Sequence, residues 1–152
     1  MPTRLAHLPA GIAASVALLL GVSACSQDPE VPTAAVGDCI ESVGAVVDEL
    51  PTVDCDEPHE LQVVGLVEHD ADDFPGDEVI SQEAFEECLE LFEDFVGAPF
   101  TETNLSVLPI TPTEESWNTA DDRESICAAG RDDRADLTES IEDNAAAFPF
   151  GG

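Results

Sequence analysis

Five cysteines carry most of the reactive chemistry in this chain of 152 residues, and their surroundings divide them into one and four. Cys25 closes the stretch Gly21-Val22-Ser23-Ala24-Cys25, which follows an apolar run from Ile12 to Leu20. Small residues directly before a cysteine, an aliphatic residue before those, and an apolar core behind Arg4 have the form of a lipoprotein export signal. The core is too short to span a bilayer. On this expectation residues 1–24 are a signal peptide, the Cys25 thiol takes a diacylglyceryl group, and the freed amine takes a further acyl chain such as palmitate. Each buried methylene contributes about 0.8 kcal/mol, and two or more chains hold a protein on a membrane where one holds it only marginally. The mature protein is therefore expected on the outer, extracytoplasmic face of the cell membrane.

Outside the reducing cytoplasm the even set Cys39, Cys55, Cys88 and Cys127 implies two disulfides, for which three pairings exist. Cys39 with Cys55 and Cys88 with Cys127 are favoured. The first pair flanks two short neighbouring strands, and the second would pin a helix to a later strand. Loop-closure entropy puts these bonds at about 3 and about 4 kcal/mol, large against a domain stability of about 5 to 15. His59, four residues after Cys55, invites a zinc or Cys-His nucleophile reading, but both need the free thiolate that oxidation removes. His59 is expected instead to order a turn by hydrogen bonds to backbone or to a carboxylate.

Two further constellations could do chemistry. Asp70, Asp72 and Asp73 sit in the run His69 to Glu78, yet Phe74, Pro75 and Ser81 stand where a calcium loop needs an oxygen ligand, a glycine and a bidentate glutamate. Weak divalent-cation binding by clustered carboxylates is all that template leaves. Ser116-Trp117 with Asp122-Arg123 forms the one aromatic-plus-charge cluster, holding the only tryptophan of a chain without tyrosine. These residues are candidate lining for a partner groove; the plainer alternative is a core tryptophan beside an arginine paired to a carboxylate. Hydrolysis has neither a Ser/His/Asp ordering nor a Gly-x-Ser-x-Gly turn to rest on.

The elements that must position these groups are embedded in a strongly anionic chain. It carries 34 acidic residues and a formal charge of −30, with Arg123, Arg131 and Arg134 the only cationic side chains after the signal and no lysine at all. Nucleic acid is excluded as a partner, because phosphate binding runs on clustered Lys and Arg. An anionic leaflet would repel the domain, which leaves the lipid to hold it. Such a surface can attract cations, as divalent ions or as a partner protein with a basic face; the plainer alternative is that it only keeps the protein soluble.

Residues 25–35 contain two prolines and little apolar content and read as a flexible tether. Val43 to Val47 and Thr52 to Cys55 are strand-like, and Leu61 to Glu68 is apolar on both alternating faces, as in a central strand. From Glu83 to Val96 the apolar residues Phe85, Cys88, Leu89, Phe92, Phe95 and Val96 fall within an arc of about 120° opposite a row of carboxylates. That helix ends at Gly97 and Pro99. Leu105 to Ile110 and Arg123 to Ala129 read as strands, Thr111 to Ala120 as a loop, and Ala135 to Ile141 as a short strand or one helical turn. Residues 142–152 have no amphipathic period and are expected to fray as a disordered tail. The fold class expected is α+β, a small antiparallel sheet with one long amphipathic helix packed on it.

Val36-Gly37-Asp38-Cys39, Val53-Asp54-Cys55, Pro58-His59-Glu60 and Val63-Val64-Gly65, followed by Phe74-Pro75-Gly76, Cys88, Pro112-Thr113, Ser116-Trp117, Asp122-Arg123 and Cys127, resemble the septum-formation domain family of exported or membrane-anchored actinobacterial proteins. The resemblance covers residues 36–141. It implies a disulfide-linked extracytoplasmic α+β domain connected with division and the cell envelope, and no catalytic activity, ligand or cofactor. One departure is Asp121, where the family has glycine in a Gly-Asp-Arg run; if that glycine serves a turn with positive φ, the loop here must be rebuilt. The function expected is a non-catalytic interaction role in the envelope. A small envelope-acting enzyme is the alternative from another class, to be marked by a deep pocket converging on His59.

Overall fold

Leu61–Glu68 (β3) forms the spine of the molecule because its residues are apolar toward both sides, and both sides are covered. The structure, a computed structural model, describes residues 31–44 and 49–151. The expected signal peptide, the lipidation site Cys25 and the first part of the tether lie outside the described residues, as do residues 45–47 of the strand-like Val43 to Val47 stretch.

Around β3 stand Cys39–Ile40 (β1), Thr52–Val53 (β2), Leu105–Ile110 (β4) and Glu124–Arg131 (β5). All neighbours are antiparallel, in the order β2-β1-β3-β5-β4. The fold class is α+β, as the sequence implied. The register of β3 against β5 slips at Val64, so Val63 faces Ala128 while Gly65 faces Cys127. An extra residue in one strand inverts the alternation beyond it. Strict alternation would place Val67 with Leu61 and Val63; instead Val67 joins Val64 under the helix, and Leu66 joins Leu61 and Val63 on the other face.

Asp77–Val96 (α1) covers the first face. Two acidic residues in its first turn suit the positive end of the helix dipole, and Gly97, at φ 86°, ends it with its N–H donated to the Glu93 carbonyl. Its buried stripe is Ile80, Ala84, Cys88, Phe92 and Val96, a repeat of four residues. This turns the helix away from the expected arc: Phe85 is 40% exposed rather than buried. The reason lies beneath it. Gly65 admits Leu91 so closely that a Cβ there would stand 2.6 Å from the Leu91 Cδ1 atom. Cys127, paired with Gly65 across the strands, bonds to Cys88 with the Cα atoms 5.3 Å apart. Close approach and covalent link fix the helix at one level of the sheet. Cys39 and Cys55 join β1 to the turn after β2, also at 5.3 Å. Both disulfides are the favoured pairing.

The other face is closed by Ala34, Val43 and Leu50 packed on Ile40, Leu61, Val63, Ile126 and Ala128. Thr111 to Ala120 is not all loop: Glu114–Thr119 (α2) is a short helix, set by a reciprocal cap in which the Ser116 N–H donates to Thr113 Oγ1 and the Thr113 N–H to Ser116 Oγ, both at 3.0 Å. Residues 135–141 form no regular element beyond a bridge between Leu137 and His59. Gln62 fastens them, its amide donating to Ser140 Oγ at 3.0 Å and its carbonyl oxygen accepting from the Ile141 N–H at 2.8 Å.

Residues 142–151 correct the expectation of a frayed tail. The Asp143 N–H donates to the Phe95 carbonyl, a 3₁₀ turn spans Ala145–Ala147, and Phe148 is 5% exposed within the main core. Thr103 and Pro149 then bridge, with Asn104 donating to Phe148 and Phe150 to Glu102. One buried aromatic ring and a ladder made with residues far away in sequence hold this segment, and neither leaves a periodic trace. Among the described residues no helix is long and apolar enough to cross a membrane.

Candidate functional site

Antiparallel β4 and β5 run from the pair Leu105 and Arg131 at one end to Ile110 and Ile126 toward the other, and each end carries an aromatic cluster. Beyond Ile110 the cap on α2 places Trp117 at 1% exposure. Phe74 meets its ring edge-on with centroids 5.7 Å apart, His69 lies at 6.2 Å, and the Trp117 Nε1–H points to the Asp72 carbonyl at 3.5 Å. The Arg123 guanidinium sits 4.0 Å over the indole. Its Nη1 donates to the carbonyls of Trp117 and Asp122 at 2.8 and 3.1 Å, and its Nη2 pairs with the exposed Asp121 at 3.2 Å. His69 Nε2 and Ser125 Oγ are hydrogen-bond partners at 2.7 Å. Asp122 is buried, its Oδ1 accepting weakly from the Glu124 N–H at 3.4 Å. The structure thus brings Trp117, Asp122 and Arg123 together, but as a closed clasp over the loop before α1. Glu124 sits at its margin, directly across from Glu68. Burial first, then repulsion from Glu68 and Asp122, raises its carboxyl above the usual glutamate range.

His59 is fully buried and lines none of the surface openings at the Leu105 end, beside the Cys39–Cys55 bond or at Arg131. Its Nδ1–H donates to the Glu57 carbonyl at 2.8 Å, which orders the turn before β3 and leaves Nε2 buried with no hydrogen-bond partner among the described residues. Cys39, Cys55, Cys88 and Cys127 are all committed to disulfides. Among the described residues no group of three His, Cys, Asp or Glu stands close enough to hold a metal ion.

The Leu105 end is different. There Phe85 of α1, Phe100 of a 3₁₀ turn, Phe150 of the tail, and Leu105 and Val107 of β4 line an apolar groove of about 430 Å³, with Asp132 the one charged residue in its wall. Phe85, Phe100 and Phe150 are 40%, 37% and 72% exposed. No polar partner ties these rings down. Among the described residues there are also a polar opening beside the Cys39–Cys55 bond, lined by Asp38, Asp54 and Glu57, and one bearing Arg131 and Arg134. Arg131 is engaged: Nε and Nη2 donate to Asp133 at 3.0 and 2.9 Å. That hydrogen bonding first, then the Ala135 N–H, lowers the Asp133 carboxyl to about 2.

The model of the family described as Septum formation matches residues 36–147. The chain belongs to the septum-formation family. Comparison with curated proteins and with solved structures finds no match. The family match runs past Ile141 into the ordered tail, as far as the 3₁₀ turn Ala145–Ala147. Asp121 adopts φ 55°, a conformation that glycine takes freely and aspartate tolerates better than most residues. Aspartate thus holds a positive-φ turn at this position and pairs with Arg123.

The groove residues were missed in the sequence for a physical reason. They come from five places in the chain, and the two cues at hand misled: Phe85 lies on the apolar side of a helical wheel drawn without its sheet, and Phe150 belongs to a segment expected to fray. Three of seven phenylalanines left more than a third exposed is a signal visible only once the fold is known.

Proposed function

We propose that this septum-formation protein is a lipid-anchored, extracytoplasmic, non-catalytic interaction domain, held on the cell membrane through Cys25 and recruiting an envelope or division protein through a basic surface of that partner. The observation that carries the proposal is the groove at the Leu105 end, whose wall is mostly aromatic and aliphatic, with the hydroxyl residues Thr101, Thr103 and Ser106 and a single carboxylate, Asp132, a lining suited to recognition. The family match supplies the connection with septum formation. The charge of −30 sets the sign of the partner. The signal-like residues up to Cys25 support the anchor.

Cells carrying Cys25→Ser in place of the natural chain test the anchor and the role together. The variant is expected in the soluble fraction, correctly folded, with septa misplaced or delayed. Unchanged membrane retention would remove the lipid anchor, and normal septa after deletion of the whole chain would remove the role in septum formation.

A further inference from the structure

Deepening the interaction role just proposed, and resting on it, we infer that the Phe85–Phe100–Phe150 groove and the adjoining edge of β4 take a short extended segment of a basic partner protein, with one large apolar side chain in the groove and Lys or Arg on either flank.

Three observations converge. β4 is an edge strand with β5 on one side only, and Leu105 and Val107, which line the groove, lie on it. An incoming chain can therefore align its backbone with β4 while its side chain enters the groove. The chain's own residues 148–150 lie antiparallel to residues 102–104, just before β4, and this brings Phe150 to the groove. Pro109 has no N–H to donate, so pairing is confined to the Leu105–Leu108 stretch and the segment read must be short. An unprotected longer edge would also invite non-specific pairing, which the proline prevents.

Charge selects among occupants. No arginine lines the groove. Asp132 is in its wall, Glu86 follows Phe85 in sequence, Glu102 precedes the lining Thr103, and the neighbouring Arg131 is held by Asp133. A second copy would bring another formal charge of −30, and an anionic lipid surface is likewise repelled. A cationic segment is attracted, and burial of its apolar residue against the three rings supplies what charge alone cannot: selectivity for a sequence.

The test uses the full-length protein in nanodiscs of zwitterionic lipid and a fluorescein-labelled synthetic peptide, Val-Phe-Val-Leu with Lys-Arg on each side. Binding is read by anisotropy and by amide shifts, with perturbation expected at residues 105–108. Replacing the peptide core by Ser-Ser-Ser-Ser, or the flanks by Glu-Glu, is expected to weaken binding by roughly tenfold or more. The double variant Phe100→Ser with Phe150→Ser, and separately Phe85→Ser, should lose binding by the same factor with melting temperature unchanged. Equal binding of the serine-cored peptide, or indifference to the phenylalanine variants, would overturn the proposal. So would self-association, or adhesion to protein-free anionic vesicles, that the same variants abolish, for these would identify a second copy or a lipid surface as the occupant. Failure here with septa still lost on deletion leaves the envelope role standing and removes only this site. Normal septa on deletion, with peptide binding intact, does the reverse.

Discussion

The two ends of the β4–β5 ribbon hold aromatic clusters of opposite character. At the Trp117 end the polar groups against the ring are engaged: Arg123 takes two carbonyls and a carboxylate, His69 takes Ser125, and Phe74 seals an edge. At the Leu105 end Phe85, Phe100 and Phe150 line a groove, each more than a third exposed. An aromatic residue next to charges in a sequence thus marks satisfied structure here, while the unsatisfied surface is built from residues that no stretch of sequence brings together.

The sharpest way to break this comparison is Trp117→Ala. If the closed end is structural, deleting a ring at 1% exposure that carries a stacked guanidinium should cost about 3 to 5 kcal/mol in denaturant unfolding. A change under about 1 kcal/mol would mean the clasp is dispensable and its residues available for another task.

Glu124→Gln probes the same end more finely. The folded-state pKa of Glu124 is raised above its unfolded value, so the folded protein binds more protons in that window and stability falls as pH rises through it. Above the folded pKa the penalty is fully present. Replacing the carboxylate by an amide relieves the charge across from Glu68, and with solvent screening the substitution should stabilise the fold by roughly 0.5 kcal/mol at neutral pH and by nothing near pH 3. Equal gains at both pH values would assign the effect to something other than charge. The smallest effect is expected at the open end, where Phe100→Ser with Phe150→Ser should move unfolding free energy by less than about 0.5 kcal/mol. A loss of several kcal/mol would show those rings to be core after all and erase the contrast.

How much of this could be seen beforehand follows from what each element depends on. α1 and both disulfides were legible, because a carboxylate face opposite an apolar one and an even set of cysteines behind an export-like signal are local or countable properties. The septum-formation resemblance was legible through short motifs around Cys39, Cys55 and Trp117. The bulge at Val64 was not, since a strand's register is a property of its neighbour β5. Nor was α2, a six-residue helix held by one cap rather than by a period. The tail was misjudged because a single ring, Phe148, anchors it. Trp117, Asp122 and Arg123 were rightly grouped, being close in sequence, but proximity says nothing about whether a cluster faces in or out.

The bond between Cys88 and Cys127 has a mechanical consequence. Were the chain pulled from its two ends, the sheet could peel apart, yet the loop closed over a sequence separation of 39 would stay folded back on itself. Roughly 130 Å of contour length would be withheld until the sulfurs were reduced. In single-molecule stretching, adding a reductant should lengthen the fully extended chain by that amount plus the smaller hidden loop between Cys39 and Cys55. A protein strung between two fixed points would thus carry a built-in limit on how far tension can draw it out.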